Sequence, residues 1–517
     1  MSSGLVEKSL EVAASRPSIP TGSGPQRLAE EAEITLDPED WGSLRTLGYR
    51  MVDDMFDHLA RVRERPAWKT PPADKQALFR QPLPQTGEDP EAIYQEFLDH
   101  ILDYSLGNTH PRFWGWVCGS GTGLGMLAEM LRAGMNTANV GHLEMANFVE
   151  YQVLDWCKEM FDFPEEASGL LVDGGSMANL IGICAARTAK QEIDLRIRGL
   201  AASPRRMLLY ASDQVHSSVL KAAELLGLGR DSVRIVRTNS RFEVDMIALA
   251  RQIDTDRRAG HHPFCIVGTA GTVNTGAFDD LVALADLAEE EQMWLHVDGA
   301  FGAFVALSGR LRHLVEGMER ADSLAFDLHK WMHMPYDVGC ILVRSRPDHR
   351  NAFELIPDYI ASSARGTSAN PDWFSNYGPQ LSRSFRALKV WMSIKEHGLS
   401  KYARLIEQNV DQVKELERLI RQSSPLEVVG PVVSNVLNYR YSAEKMGEEQ
   451  LNRLNRELLE ELQVRGIAVP SSTLLGGKFV IRVANTNHRT RFEDFRALVD
   501  HSLLLGSEIC ENLAQES

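Results

Sequence analysis

The chain has 517 residues, of which 44% are hydrophobic and 24% charged, and its formal net charge is −16. This composition is typical of a globular protein in water, and a chain of this length is expected to form about two or three domains. The acidic balance argues against nucleic acids and anionic membranes as main partners.

Cysteine usage and hydropathy indicate where such a protein works. None of the six cysteines belongs to a C-x-x-C pair, and most lie in apolar segments, as is typical of free thiols in a reducing cytoplasm. No stretch approaches the roughly 18 apolar residues of a membrane span. Residues 1–25 lack the long apolar core of a signal peptide. We therefore expect a cytoplasmic protein without a membrane segment.

The first hundred or so residues differ from the rest of the chain. Residues 1–36 are rich in Ser, Pro and Gly and predict a flexible tail. Apolar residues at helical spacing predict helices over residues 37–65 and 91–106, with a Pro-rich connection between them. We therefore interpret residues 37–110 as an N-terminal helical segment whose apolar faces need a partner surface.

Residues 111–395 predict a large α/β domain. Strands that alternate with helices indicate a parallel or mixed sheet, whose ligands bind at the carboxyl ends of the parallel strands. The runs that predict buried strands are GLLVDGG, RMLLYAS, SVRIVRT, FCIVGTAGT, MWLHVDGAF, SLAFDLH and GCILVRS. A long helix is predicted at RSFRALKVWMSIKEHG. Residues 396–517, with VVSNVLNYRYS and KFVIRVANT, predict a small α+β domain.

The stretch LLVDGGSMANLIGICAAR suits a phosphate group. Asp173 ends a strand, and Gly174, Gly175 and Ser176 open a helix. Glycines let a ligand approach the backbone, and the free amides of a helix N-terminus bind phosphate. An ordinary strand–helix turn is equally consistent with this stretch alone. The Gly-rich residues 119–125 follow no clear strand and indicate only a flexible loop.

An acid and a histidine follow two other strands. Asp298 ends the strand in MWLHVDGAF. Its carboxylate can either cap the N-terminus of a helix or pair with the protonated ring nitrogen of a ligand, whose positive charge it would stabilise. His216 follows the strand RMLLYAS and, taken alone, is either a functional or a buried structural histidine.

Lys330 lies in AFDLHKWMHMPYDVG among large apolar side chains. Buried lysines are rare, and burial lowers the pKa of the amine. Lys330 therefore either extends its amine to the surface or acts as a chemical group. His329 and His333 have a spacing that metals use, but no carboxylate or cysteine completes a ligand set, so we predict no metal.

One cofactor explains these features together. Pyridoxal phosphate needs a lysine for its Schiff base, an acid for its pyridinium nitrogen and a cup for its phosphate. Its flat ring also needs a planar group against one face, which His216 can supply. The combination is far more specific than any of its parts.

From about residue 40 to the C-terminus, the chain resembles the group II pyridoxal-phosphate-dependent amino acid decarboxylases, most closely the aromatic-L-amino-acid decarboxylase branch. The motifs that carry the resemblance are HVDGAFGAF, DLHKW, SDQVHSSVLKA, GTAGTVNTGAFDDL, HPRFWGWV and SRSFRALKVW. The resemblance implies the fold of the type I pyridoxal-phosphate-dependent transferases. It also implies an obligate homodimer with active sites at the interface, so the segment 37–110 is expected to pack across the dimer.

The resemblance also implies roles for individual residues. Lys330 would bind the cofactor covalently, Asp298 would pair with its pyridine nitrogen, and His216 would stack on its ring. Gly175, Ser176 and His329 would hold the phosphate side.

Two further cofactor contacts follow from the same resemblance. Thr272 lies in the loop that runs beside the cofactor. The family often has a second threonine at the next position, where this chain has Val273. Ser382 falls where a partner subunit often contributes to the phosphate site.

The substrate is inferred from the segment that lines the pocket in the family. Phe113, Trp114, Trp116 and Val117 fall in it and favour an aromatic or bulky neutral amino acid, unless they serve core packing instead. Arg112 lies next to them and would suit glutamate or aspartate as the alternative substrate. Other reactions of this cofactor, such as transamination, sulfur elimination or oxidative deamination, and a catalytically idle binding protein also remain open.

Tyr359 lies in a long stretch without clear periodicity, residues 354–376. It matches the tyrosine of the family's catalytic loop, and its phenol would protonate the substrate α-carbon. Relatives with phenylalanine at this position act as aldehyde synthases. A tyrosine therefore predicts a decarboxylase that releases amine and carbon dioxide.

Overall fold

The N-terminal helices begin and end close to where apolar spacing predicts them. The computed structural model describes residues 34–355, 364–370 and 372–516, so residues 1–33 of the predicted tail lie outside the described residues. Helix α1 spans Trp41–Ala60, α2 spans Ala73–Leu78 and α3 spans Pro90–His100. The chain divides into two compact units, residues 1–53 and 54–517.

The second unit contains the remaining helices and all the strands of the described residues. The helices are α4 (Gly123–Met135), α5 (Met145–Met160), α6 (Gly175–Ala189), α7 (Leu195–Arg198), α8 (Ser217–Leu225), α9 (Met246–Arg258), α10 (Leu281–Glu290), α11 (Arg346–Phe353), α12 (Ala387–His397), α13 (Leu399–Arg421), α14 (Glu448–Val464) and α15 (Phe492–Glu516). The strands are β1 (Ser168–Val172), β2 (Met207–Ser212), β3 (Val233–Val236), β4 (His262–Thr269), β5 (Trp294–Asp298), β6 (Ser323–Phe326), β7 (Gly339–Val343), β8 (Leu426–Val428), β9 (Val436–Tyr441), β10 (Ser471–Leu475) and β11 (Lys478–Ala484).

The seven strands predicted for the large domain are all confirmed and form one sheet in the order β1-β7-β6-β5-β4-β2-β3. Strand β7 runs antiparallel to both of its neighbours, and the other pairs are parallel. The sheet is therefore mostly parallel but mixed, as expected. The connection between β6 and β7, residues 327–338, contains no crossover helix, so β7 returns antiparallel to β6.

The C-terminal part forms the predicted α+β domain. Its four strands form an antiparallel sheet in the order β10-β11-β9-β8. A second hydrophobic core joins this sheet to α13, α14 and α15. Trp114, from the preceding domain by sequence, also belongs to this core, with its ring centroid 4.7 Å from that of Phe495.

The sheet order sets where a ligand can bind. Because β1, β6, β5 and β2 point in the same direction, the residues that follow them meet at one edge of the sheet. Strands β1, β2 and β4 are buried along almost their whole length, because the sheet is covered on both faces and each strand is a continuous apolar run. Within the described ranges, no helix combines the length and the apolarity needed to cross a membrane.

Candidate active site

A cavity of about 440 Å³ opens at the carboxyl edge of the large sheet. It collects residues from four separate strand ends that the sequence analysis proposed for one site. The predicted site residues that line the cavity are Gly175, Ser176, His216, Asp298, His329 and Lys330. The convergence is a property of the sheet order, since these residues are up to 155 positions apart in the chain.

Lys330 lies in the β6–β7 connection, and its side chain is 23% exposed. Its Nζ atom lies 2.8 Å from Oδ2 of Asp327. Burial lowers the pKa of the amine, but the charge and hydrogen bond of Asp327 and the charge of Asp298 outweigh it, so the pKa is raised above its ordinary value. The expected lowering is therefore wrong for the cofactor-free protein, because the sequence reasoning counted burial and missed the counter-ion.

Asp327 is the residue at this site that the sequence analysis missed. Its side chain is 2% exposed, and Oδ1 has no hydrogen-bond partner among the described residues. A Cβ atom at Gly175 would lie 2.8 Å from Oδ2, and one at Gly339 would lie 2.6 Å from Oδ1. Glycine at both positions therefore makes room for this carboxylate. The signal was present as the acid three residues before Lys330 at a strand end.

Asp298 is the last residue of β5 and is 3% exposed. Its Oδ2 accepts a hydrogen bond of 2.8 Å from Nδ2 of Asn179, and its Oδ1 accepts one of 3.1 Å from the Ala300 backbone N–H. The second contact stabilises a local turn, and the helix N-cap that the sequence left open is instead Phe301. The first comes from α6 and orients the carboxylate at the cavity wall.

His216 is the N-cap of α8; the residue as a whole is exposed, but the hydrogen bonds of its Nδ1 are partly buried. Its Nδ1 accepts a hydrogen bond of 3.2 Å from the Ser218 backbone N–H and lies 2.8 Å from Ser218 Oγ. Burial lowers the pKa of the imidazole, although the charge of Asp298 opposes this effect. At neutral pH the ring is therefore uncharged, which suits stacking against a flat ligand.

The phosphate side of the predicted site is formed by the start of α6 and by His329. Gly175 begins the helix, Ser176 is exposed to the cavity, and His329 is 7% exposed. A Cβ at Gly174 would lie 3.3 Å from Cε1 of His329, so this close approach favours glycine. Nδ1 of His329 accepts a 3.1 Å hydrogen bond from the Val338 backbone N–H, and burial lowers the pKa of its ring.

These side chains fit pyridoxal phosphate. One cavity holds an amine, a buried carboxylate with two donors fixing it, a neutral imidazole and the N-terminus of α6. Lys330 would hold the cofactor covalently, Asp298 would face its ring nitrogen, and Gly175 and Ser176 would face its phosphate.

Two of the proposed cofactor contacts, Thr272 and Ser382, are not among the residues that line this cavity. Thr272 is fully buried, and its Oγ1 lies 2.8 Å from Thr275 Oγ1 and accepts the Ala277 backbone N–H, so its hydroxyl is used within its own loop. Ser382 is exposed, and its predicted contact with a partner subunit stays a prediction. Tyr359 lies outside the described residues.

The predicted substrate segment divides into core and surface residues. Trp114 is fully buried, and its Nε1–H donates a 3.1 Å hydrogen bond to Thr490. Phe113 packs with Ala67 and Val469 in a small core, and Val117 joins the core of the large domain. These three side chains therefore serve packing in the described chain. Trp116 differs, since it is 52% exposed and its backbone has a φ of +50°.

Arg482 was also missed, because a lone arginine within a strand carries no sequence signal. It lies on β11, is 3% exposed, and has no carboxylate partner among the described residues. Its Nη1 donates to the Trp116 carbonyl at 2.8 Å, while Nε and Nη2 lack partners in the same residues. Burial lowers the pKa of the guanidinium to about 10. Such a group is suited to an anion.

Arg482 is not among the residues that line the cavity. Cys118 interacts electrostatically with both Lys330 and Arg482, so one thiol lies near both cations. Arg112, which the sequence offered for an acidic substrate, is not among the residues that line the cavity.

Comparisons with known proteins show the family to which the chain belongs. The model of a family described as "Pyridoxal-dependent decarboxylase conserved domain" matches residues 72–442. The aromatic-L-amino-acid decarboxylase of Bacillus atrophaeus is 34% identical over 470 residues, which cover 90% of this chain and 96% of the relative. The phenylacetaldehyde synthase of Arabidopsis thaliana is 28% identical over 464 residues, covering 87% of this chain and 93% of the relative.

A solved structure extends the likeness to the fold. The crystal structure of Oryza sativa TDC with PLP and tryptamine matches with a TM-score of 0.83 at 26% identity. The match covers 92% of this chain and 100% of the other.

Proposed function

Because the chain belongs to the pyridoxal-dependent decarboxylase family, it is a pyridoxal-phosphate-dependent amino acid decarboxylase, and we propose that its substrates are aromatic L-amino acids. The observation that carries the site assignment is the convergence of Lys330, Asp298 and His216 on one cavity. The aromatic class is supported by a relative named aromatic-L-amino-acid decarboxylase and by the likeness to a structure with bound tryptamine.

Each of the three residues has a separate task. The bound cofactor supplies an electron sink for the bond between the substrate α-carbon and its carboxylate. Asp298, held by Asn179 and Ala300, keeps a proton on the ring nitrogen by its negative charge. The neutral ring of His216 packs against one face of the ligand. Lys330 would hold the cofactor covalently through its amine, which must first lose its proton.

We propose that Arg482 binds the carboxylate group of the substrate. A buried guanidinium with two unpartnered nitrogens is costly unless an anion completes it. The amino acid substrate brings such an anion. Trp116, whose carbonyl Arg482 holds, would then place its exposed indole beside the same ligand. An aromatic side chain next to an indole is stabilised by burial and stacking.

A substrate panel tests the proposed class. Amine and carbon dioxide release are measured with tryptophan, tyrosine, phenylalanine, glutamate and aspartate. The proposal expects turnover of at least one aromatic acid and none of the acidic pair. Turnover of glutamate or aspartate alone would establish the acidic alternative.

A second candidate is an aldehyde synthase, because one relative is named phenylacetaldehyde synthase. The presence of a tyrosine at position 359 favours simple amine release, since a phenol can protonate the α-carbon before oxygen reacts with it. Measuring amine, aldehyde and peroxide in air separates the two. Mostly aldehyde from the wild type would establish the oxidative reaction.

We further propose that the protein acts as a homodimer in the cytoplasm. Large apolar side chains of α4 and α5 are exposed in the single chain, namely Met130, Leu131, Met135, Met145 and Phe148. Such a patch is suited to a second copy. The exposed Ser382 would then serve the partner's phosphate site. Light scattering with simultaneous activity assays tests this, and full activity in a monomer would overturn it.

A further inference from the structure

Asn179 lies one turn into α6 and is 1% exposed. Its Nδ2 donates to Asp298 Oδ2 at 2.8 Å and to Ser218 Oγ at 2.8 Å. Its Oδ1 lies 2.9 Å from Nε2 of His296. One buried amide therefore contacts three side chains on two elements, β5 and α8, and both of its N–H groups and its oxygen are used.

The direction of each hydrogen bond follows from Asp298. A carboxylate only accepts, so the nitrogen of Asn179 must face it, and the oxygen must face His296. Full burial lowers the pKa of His296 to about 4, so its ring is neutral and has one N–H. That proton is on Nε2, and Nδ1 accepts from the Ser323 hydroxyl at 2.8 Å. Trp294 completes the series by donating to Ser323 Oγ at 2.8 Å.

The same reasoning fixes His216. Ser218 Oγ accepts from Asn179, so its own proton is free to be donated to Nδ1 of His216, 2.8 Å away. The Ser218 backbone N–H donates to the same nitrogen. The neutral ring must therefore carry its proton on Nε2, for which no described residue provides an acceptor. This N–H is available to a ligand in the cavity.

We propose that Asn179 is a positioning residue that fixes the carboxylate of Asp298 and the tautomer of His216 as one unit. The proposal rests on the proposed function, because it assumes that Asp298 pairs with the ring nitrogen of the cofactor and that His216 packs against its ring face. His296 acts behind Asn179 and holds the amide in the orientation in which both of its N–H bonds point at the site. Asn179 itself acts through these two side chains.

Asn455 offers a matched control. It is fully buried on α14, and it also makes one accepted and two donated hydrogen bonds. It accepts from the Tyr441 backbone N–H at 2.7 Å and donates to the Tyr441 and Leu451 carbonyls at 2.8 Å each. Loss of this amide removes a similar buried network in the C-terminal domain, and Asn455 does not line the cavity.

The experiment compares Asn179→Ala with Asn455→Ala in the full chain. We expect both to lower the melting temperature. Only Asn179→Ala should weaken pyridoxal phosphate binding, change the pH dependence of the bound cofactor's absorbance and lower kcat by about tenfold or more with a smaller change in KM, as removal of an orienting contact does. Equal effects of the two variants on stability, with cofactor binding and absorbance unchanged in Asn179→Ala, would overturn the proposal.

A measurement on the wild type keeps the test decisive if Asn179→Ala does not fold. Nitrogen-15 NMR of the histidine rings should show the Nε2–H tautomer for both His216 and His296. An Nδ1–H tautomer at either ring would overturn the proposal. Cofactor binding and ring tautomers need no substrate, so a failure of the aromatic substrate class leaves both readouts intact and is distinguished by the amino acid panel.

Discussion

Nζ of Lys330 lies 2.8 Å from Oδ2 of Asp327, and this carboxylate is almost fully buried. The pair favours the protonated amine, whereas only a neutral amine can attack an aldehyde carbon. We therefore expect Asp327 to set the pH above which Lys330 can bind the cofactor covalently.

Replacing Asp327 by Asn removes the charge and keeps the size of the side chain. Because Asp327 raises the pKa of Lys330, we expect the rate of covalent cofactor binding in Asp327→Asn to reach half of its maximum at a lower pH than in the wild type. Stopped-flow absorbance across a pH series measures this. Asp337→Asn is the control, since Asp337 lies in the same connection but pairs with Arg386. An unchanged profile in Asp327→Asn would show that the ion pair does not control the amine.

Because of His349, we expect the protein to lose stability as the pH is lowered. The side chain of His349 is fully buried, and burial lowers its pKa from 6.5 to about 3. The unfolded chain therefore takes up a proton between about pH 6.5 and 3 that the folded chain does not, so stability falls as the pH is lowered through this window. The contribution is up to about 1.4 kcal/mol per pH unit.

The check is urea unfolding of the cofactor-free protein at several pH values from 7 to 5. His349→Gln should reduce the slope of the free energy of unfolding against pH by close to the amount that one proton contributes, about 1.4 kcal/mol per pH unit. A slope equal to that of the wild type would mean that His349 is protonated in the folded chain.

Trp114 and Trp116 are two residues apart, but we expect replacement of the first to lower stability and replacement of the second to affect substrate binding. Trp114 is fully buried beside Phe495, whereas Trp116 is 52% exposed. We expect Trp114→Ala to lower the free energy of unfolding by about 3–5 kcal/mol. Trp116→Ala should leave stability nearly unchanged and raise KM for an aromatic substrate. Denaturation and steady-state kinetics on both variants measure this, and a reversed pattern would contradict the assignment.

Tyr359 is a prediction from resemblance alone, since it lies outside the described residues. Tyr359→Phe removes the phenol proton but keeps the ring, so we expect continued release of carbon dioxide with much of the product diverted to aldehyde in air. Amine, aldehyde and peroxide are measured with and without oxygen. Amine formation at the wild-type rate would exclude Tyr359 as the proton donor.

The sequence predicted the strands and the main site residues because both leave local signals. Seven apolar runs stand between turn residues, and Lys330, Asp298 and His216 each follow one of them. The antiparallel direction of β7 was not predicted, because it depends on how a connection without a helix returns. The Gly-rich residues 119–125, interpreted as a flexible loop, end within α4, which begins at Gly123.

Contacts between distant residues explain the remaining differences. Asp327 pairs with Lys330 only because the β6–β7 connection turns back at residues 327–330. Asn179 reaches Asp298 across 119 positions of the chain. Apolar character alone does not separate Trp114, which faces the C-terminal core, from Trp116, which does not. The unpaired state of Arg482 is visible only once its surroundings are known.

Carbon dioxide release by the wild type and by Lys330→Ala tests the central claim most directly. Each protein is incubated with pyridoxal phosphate and an aromatic L-amino acid, and carbon dioxide, amine and the absorbance of covalently bound cofactor are measured together. The account predicts that the wild type releases carbon dioxide and amine in equal amounts, and that Lys330→Ala shows neither turnover nor the absorbance. Turnover by Lys330→Ala at the wild-type rate would contradict it.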